Sequence, residues 1–174
     1  DGSKGVDIRQ YRNLVRSLLY LTATRPDIMF ATSLLSRFMS KLSEVHMGTA
    51  KRVLRYLKGT MEYGMFYQPC SDPRLIAYSD SDWAGSVDDM KSTSGYTFTF
   101  GSGVFSWNSK KQDIVAQSIA EAEYVAAFAT VNQVIWLRKI MADLGYEQDE
   151  ATEVLVDNKS AIAISKKPAC FIKT

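Results

Sequence analysis

The chain has 174 residues, 46% of them hydrophobic and 23% charged, with a formal net charge of +2. That length and apolar content supply one large core or two small ones, and they exclude a disordered or low-complexity chain. Cys70 and Cys170 stand far apart and in no CxxC pair, which argues against a disulfide framework or a cysteine zinc site and fits a reducing compartment.

The near-neutral total hides an asymmetry. Residues 1–70 carry eleven Lys and Arg against five Asp and Glu, a net of +6, whereas residues 71–174 carry ten against fourteen, a net of −4. The first part is a candidate surface for a polyanion, and the second holds the acids. The longest mostly apolar run, Tyr124 to Leu137, is too short to span a bilayer, so no membrane or signal segment is expected. The chain starts with Asp rather than Met, and we expect a piece of something longer.

Three helical patterns open the chain. Ile8, Tyr11, Leu14, Val15, Leu18 and Leu19 follow the three-four spacing of one apolar face. A second helix is expected from Arg25-Pro26 through Ile28, Ala31, Leu34, Leu35 and Phe38, with the proline in the first turn. Ser43 can cap a third, whose apolar side is Val53, Leu54 and Leu57 and which Gly59 ends. On another side Lys51, Arg55 and Lys58 recur at helical spacing, a stripe that can follow a phosphate backbone and that equally suits an ordinary solvated face.

After Gly59 the pattern changes to short alternating runs, Tyr63 to Tyr67, Arg74 to Ser79, Tyr96 to Phe100 and Val104 to Trp107, read as strands. Gly101-Ser102-Gly103 is a hairpin signal between the last two. Ser118 to Glu121 forms a capping box at the head of a long helix that runs to about Leu144, before Gly145. A strand, Thr152 to Val156, then reaches Asp157, and a short helix covers Asn158 to Ser165.

The acids carry the chemistry. The apolar run Leu75 to Tyr78 ends in Asp80 and Asp82, which share a face if the strand continues through both. Two close anions repel unless a hard cation lies between them; the alternative is a solvated strand-to-turn junction. Glu121 and Glu123 point apart on a helix, about 200° around its axis. Glu121 belongs to the cap, while Glu123 lies on the stripe of Ala126, Thr130, Val134, Leu137, Met141 and Leu144 that would face a sheet, with a second apolar stripe through Val125 and Phe128. An unpartnered buried carboxylate is costly, so Glu123 needs either a Lys or Arg or a metal. Asp157 repeats the strand-then-acid pattern, and a metal held by Asp80, Glu123 and Asp157 accounts for all three.

The strings YSDSDWAG, KSTSGY, SWNSKKQ, SIAEAEYVA, WLRKI and VDNKSAI closely resemble the ribonuclease H region of copia-type LTR-retrotransposon Pol polyproteins. YRNLVRSLLYLTATRPDI and AKRVLRYLKGT resemble the segment that connects reverse transcriptase to it. The resemblance covers essentially the whole chain. It implies an α+β architecture: a helical basic connection segment over residues 1–62, then a ribonuclease H-like mixed sheet flanked by helices over 63–174. It further implies hydrolysis of the RNA strand of an RNA–DNA hybrid with two Mg2+ (or Mn2+) ions, held by Asp80, Glu123 and Asp157, with Asp82 a neighbour and further candidate ligand. Lys91, Lys110 and Lys111 become candidate phosphate contacts beside Lys51, Arg55 and Lys58, although a solvated turn explains those three lysines too. The implied partners are the hybrid and the polymerase domain of the polyprotein, and the implied location is a cytoplasmic virus-like particle.

The departures are equally specific. Past Pro168 the family continues through a histidine-containing stretch, a fourth catalytic aspartate, a last strand and a helix; this chain reads Ala169 to Thr174, and no acid follows Asp157. Arg16, Leu42 and Ile119 replace an expected Gly, Pro and small residue. The polymerase's aspartate motif is absent. We therefore expect either a nuclease weakened by truncation or an inactive, vestigial nucleic-acid-binding domain. A calcium loop at Asp80 fails because Lys91 holds its twelfth position, and the lone His46 leaves no serine or zinc hydrolase.

Overall fold

A computed structural model describes residues 7–71 and 73–167. The readings on Pro168 to Thr174 and on Cys170 lie outside the described residues. The chain forms two compact units, one up to Phe66 and one from Tyr67 onward.

The first unit is helical: α1 (Ile8–Leu21), a 3-10 turn (Pro26–Ile28), α2 (Met29–Ser36) and α3 (Glu44–Gly59). Its core gathers Tyr11, Val15, Leu18, Ile28, Leu35, Met47, Ala50 and Val53, the inward faces of three amphipathic helices. The Tyr11 hydroxyl donates to the Leu35 carbonyl at 2.8 Å, which lets a polar tip sit fully buried. Ser43 caps α3 as expected, and His46 occupies the usual glutamate position, its Nδ1 accepting from the Ser43 N–H. The His46 ring also stacks on Phe38 at 4.0 Å between centroids, so the lone histidine is structural.

The second expected helix is shorter than its apolar pattern. Its start is a 3-10 turn, and Phe38 lies beyond its end. At that turn Arg25 forks onto Asp27 and also reaches the Thr60 carbonyl, while the Tyr56 hydroxyl donates to Asp27. This network ties the turn to the end of α3 before α2 begins.

The second unit contains β1 (Leu75–Ser81), β2 (Thr93–Phe100), β3 (Gly103–Lys111), α4 (Ile119–Asp143), β4 (Glu153–Val156) and α5 (Lys159–Ser165). The sheet order is β3-β2-β1-β4, antiparallel except for the β1–β4 pair. Five α-helices and a four-stranded mixed sheet among the described residues make the α+β architecture expected, compatible with a ribonuclease H-like fold.

α4 connects two parallel strands and lies on the sheet. Its buried residues are Ala122, Glu123, Ala126, Thr130, Val134, Leu137 and Met141, the stripe read from the sequence, whereas Phe128 and Leu144 are exposed. Val134, Leu137 and Met141 meet Leu75, Ala77 and Phe98. Full burial of a Leu- or Phe-sized side chain is worth about 1.5–3 kcal/mol, so this cluster fixes which face of the helix meets the sheet.

Tyr63 to Tyr67 is not a strand. A strand needs a ladder partner, and Tyr67 and Gln68 are held otherwise: the Tyr67 hydroxyl donates to the Val104 carbonyl, and the Gln68 backbone and the Ser102 hydroxyl exchange two hydrogen bonds. The Tyr67 ring lies so close to Gly103 that a Cβ there would meet it at 2.4 Å, which explains the second hairpin glycine.

Candidate metal centre

β1 and β4 run parallel, and their last paired residues are Ser79 and Val156. The next residue on each strand is an acid, Asp80 and Asp157, so the register alone sets two carboxylates side by side. Glu123 arrives from the first turns of α4. One oxygen from each of these three acids lies within 4.8 Å of one from each of the others.

Their environments differ. Asp80 and Asp157 are exposed, whereas Glu123 is 4% exposed. The Ser81 N–H donates to Asp80 Oδ1 at 2.8 Å and to Glu123 Oε1 at 3.3 Å, so one backbone donor serves two carboxylates. Glu123 Oε2 is buried and accepts no hydrogen bond from any described residue. Burial first, and then the charge of Asp80, push the Glu123 carboxyl above its usual range, against the lowering effect of the Ser81 N–H.

An orphaned carboxylate oxygen among three converging acids, with no ammonium or guanidinium bonded to Glu123 among the described residues, fits a hard divalent cation. Of the two explanations open for Glu123, no cation partner is seen among the described residues, and the three acids are a group that could hold a metal ion.

Asp82 stands elsewhere. β1 ends at Ser81, so the strand alternation that would set Asp82 beside Asp80 stops one residue short. Its carboxylate accepts from the Thr93 N–H and packs against Gly85, and it lies outside the group of three. Its bonds hold the loop between β1 and β2.

Lys51, Arg55 and Lys58 are all exposed on α3, on the side away from Met47, Ala50 and Val53. Lys110 is exposed, with Asp113 at 4.0 Å. Lys111 is engaged: its Nζ lies 2.7 Å from Asp89 and 3.0 Å from Ser86 Oγ, and it pins the β1–β2 loop. Lys91 is half-buried in that same loop, where its carbonyl accepts from Ser86 and its N–H donates to Asp89. Glu121 accepts from the Gln117 N–H, one residue before the cap, while Ser118 accepts from the Glu121 N–H.

No pattern in the sequence announces the polar layer beneath the acids. Ser81, Ser92, Ser94 and Gln112 are all buried there. The relevant signal was a cluster of small hydroxyl residues facing one amide, which no periodicity reveals.

Comparison with known proteins bears on what this segment is. No protein-family model matches the chain, and no solved structure matches it. The Retrovirus-related Pol polyprotein from transposon RE1 of Arabidopsis thaliana is 41% identical over 167 residues, 96% of this chain and 11% of that protein. The Retrovirus-related Pol polyprotein from transposon TNT 1-94 of Nicotiana tabacum is 42% identical over 165 residues, 94% of this chain and 12% of that protein. Secreted RxLR effector protein 161 of Plasmopara viticola is 43% identical over 128 residues, 73% of this chain and 90% of that protein. The chain thus spans about a ninth to an eighth of the length of the Pol polyproteins it matches. The chain is similar to one segment of these retrovirus-related Pol polyproteins from transposons.

Proposed function

We propose that the unit from Tyr67 onward is the ribonuclease H region of a copia-type Pol polyprotein, cleaving the RNA strand of an RNA–DNA hybrid at the Asp80, Glu123 and Asp157 centre. The observation that carries this reading is the convergence of three acids from two parallel strand ends and one helix, with the buried Glu123 oxygen unpartnered. Asp80, Glu123 and Asp157 would hold Mg2+ or Mn2+, which would supply activation of a water and stabilisation of the leaving 3′-oxygen.

The chain's own residues prepare that chemistry. The Ser81 N–H and burial fix the Glu123 carboxylate, while Asp80 and Asp157 stay open to solvent on the side from which a phosphate approaches. The exposed row of Lys51, Arg55 and Lys58 gives the first unit a sequence-independent grip on nucleic acid backbone. Hybrid recognition rests on backbone shape and ribose 2′-hydroxyls. The rest of the polyprotein, including its polymerase, is the natural partner, and a cytoplasmic virus-like particle the natural setting. No helix among the described residues is long and apolar enough to cross a membrane.

The test is Mg2+-dependent cleavage of a labelled hybrid by the purified chain beside Asp80→Asn. Cleavage lost in the variant supports the nuclease. Hybrid binding without cleavage by the folded wild-type chain favours the vestigial binding domain, whose basic row does not depend on the acids.

A further inference from the structure

Gln112 follows the end of β3 and is buried at 6% exposure. Its amide nitrogen lies 2.9 Å from the Ala122 carbonyl, 2.9 Å from Ser94 Oγ and 3.2 Å from Ser81 Oγ, so its two hydrogens serve three acceptors, one hydrogen being shared. The Ala122 carbonyl can only accept, which fixes the nitrogen end of the amide toward the helix. The Gln112 backbone N–H donates to the Ser92 carbonyl at 2.8 Å, so the residue is anchored at both ends.

Two of these partners adjoin acids of the centre. Ala122 immediately precedes Glu123, and Ser81 immediately follows Asp80 and gives its N–H to both carboxylates. A single amide therefore spans the two backbone stretches whose separation sets the distance from Asp80 to Glu123. The apolar cluster between α4 and β1 starts at Val134, about three turns further along the helix. Apolar packing is non-directional, whereas hydrogen bonds fix a position.

The rest of the side chain argues against a merely space-filling role. Gln112 Oε1 is buried and accepts no hydrogen bond from any described residue, a destabilising arrangement that an apolar side chain of similar volume avoids. What the amide supplies that such a side chain lacks is the set of donors reaching β1, β2 and α4 together.

We propose that Gln112 is a positioning residue that locks the first turns of α4 onto the end of β1 and so holds the Glu123 and Asp80 carboxylates at metal-sharing distance. The inference rests on reading the three acids as a metal centre. It predicts that Gln112 governs metal affinity without touching metal or substrate.

The experiment compares the wild-type chain with Gln112→Met and Ser94→Ala. Mn2+ affinity is measured by electron paramagnetic resonance, the Ser81 amide by hydrogen exchange, and folding by circular dichroism. In Gln112→Met we expect the Mn2+ dissociation constant to rise about 10- to 100-fold and Ser81 to exchange faster. Hybrid cleavage should return toward wild type at saturating Mn2+, a metal-dependence shift that lowered stability alone does not produce. Ser94→Ala should move in the same direction by less, and it decides the matter if Gln112→Met does not fold. A folded variant with unchanged Mn2+ affinity and unchanged Ser81 exchange overturns the inference. A wild-type chain that binds no Mn2+, with Ser81 exchange still faster in Gln112→Met, sinks the metal reading and leaves the positioning of the acid pair standing.

Discussion

Asp82 and Gly85 are packed so closely that a Cβ on residue 85 would lie 2.0 Å from Asp82 Oδ2. The carboxylate cannot simply swing aside, because its other oxygen accepts from the Thr93 N–H at the start of β2. Gly85→Ala should therefore displace Asp82 and cost about 1–3 kcal/mol by removing that acceptor, measured as a lower urea midpoint with unchanged slope. Asp82→Asn retains a side-chain oxygen for Thr93. It should keep Mg2+-dependent cleavage in the same assay where Asp80→Asn loses it.

Glu123 sets a conflict between stability and the metal centre. Its folded carboxyl sits above the usual range, so the unfolded chain releases that proton first as pH rises. Stability should fall as pH climbs through the ordinary carboxylate range toward the folded value, and the penalty remains above it. Glu123→Gln should melt higher than wild type at neutral pH without metal, with the difference vanishing in acid. Divalent metal should reverse the order: at 100 times its dissociation constant a ligand adds about 2.7 kcal/mol, an increment Glu123→Gln should lack. Thermal melts with EDTA and with Mn2+ check both.

The Lys111 ammonium, followed by the Ser86 hydroxyl, holds the Asp89 carboxyl down to about 2 from an ordinary 3.8. A depressed carboxylate stabilises the fold at pH values above its unfolded value. Its contribution should fade as pH falls from about 4 through about 2. Lys111→Met should lose that part of the acid dependence and loosen the β1–β2 loop, seen as faster amide exchange at Met90 and Lys91, whose N–H groups donate within that loop.

The row on α3 is testable apart from the acids. Replacing Lys51, Arg55 and Lys58 together by Glu should weaken hybrid binding. The log–log salt slope should shrink by roughly 2 to 3, at about 0.7–0.9 per phosphate contact. Circular dichroism should be little changed, because all three side chains are exposed. An unchanged slope would remove the row from the nucleic acid interface.

How far the sequence reaches can be judged from particular residues. Periodicity and capping foretold α1, α3 and α4, because the free energy of an amphipathic helix resides in local spacing and in its own terminal hydrogen bonds. The same spacing separated Glu123 from Glu121, since 3.6 residues per turn leaves only one of them on the Val134, Leu137 and Met141 face. It failed at Tyr63 to Tyr67, where alternating aromatics mimic a strand without a partner for the ladder, and at Asp82, where the strand stopped one residue early.

By itself, then, the sequence determined α1, α3 and α4, where four of its five expected strands lie, and which acids end an apolar run or head a buried stripe, all of which follow from neighbours a few positions away. Only the tertiary structure decided that Asp80, Glu123 and Asp157 meet, that Lys111 is occupied by Asp89, and that Gln112 lies beneath the acids. The parallel register of β1 and β4 and the seating of α4 bring together residues 34 to 77 positions apart in the chain. No local pattern encodes a distance that packing alone sets.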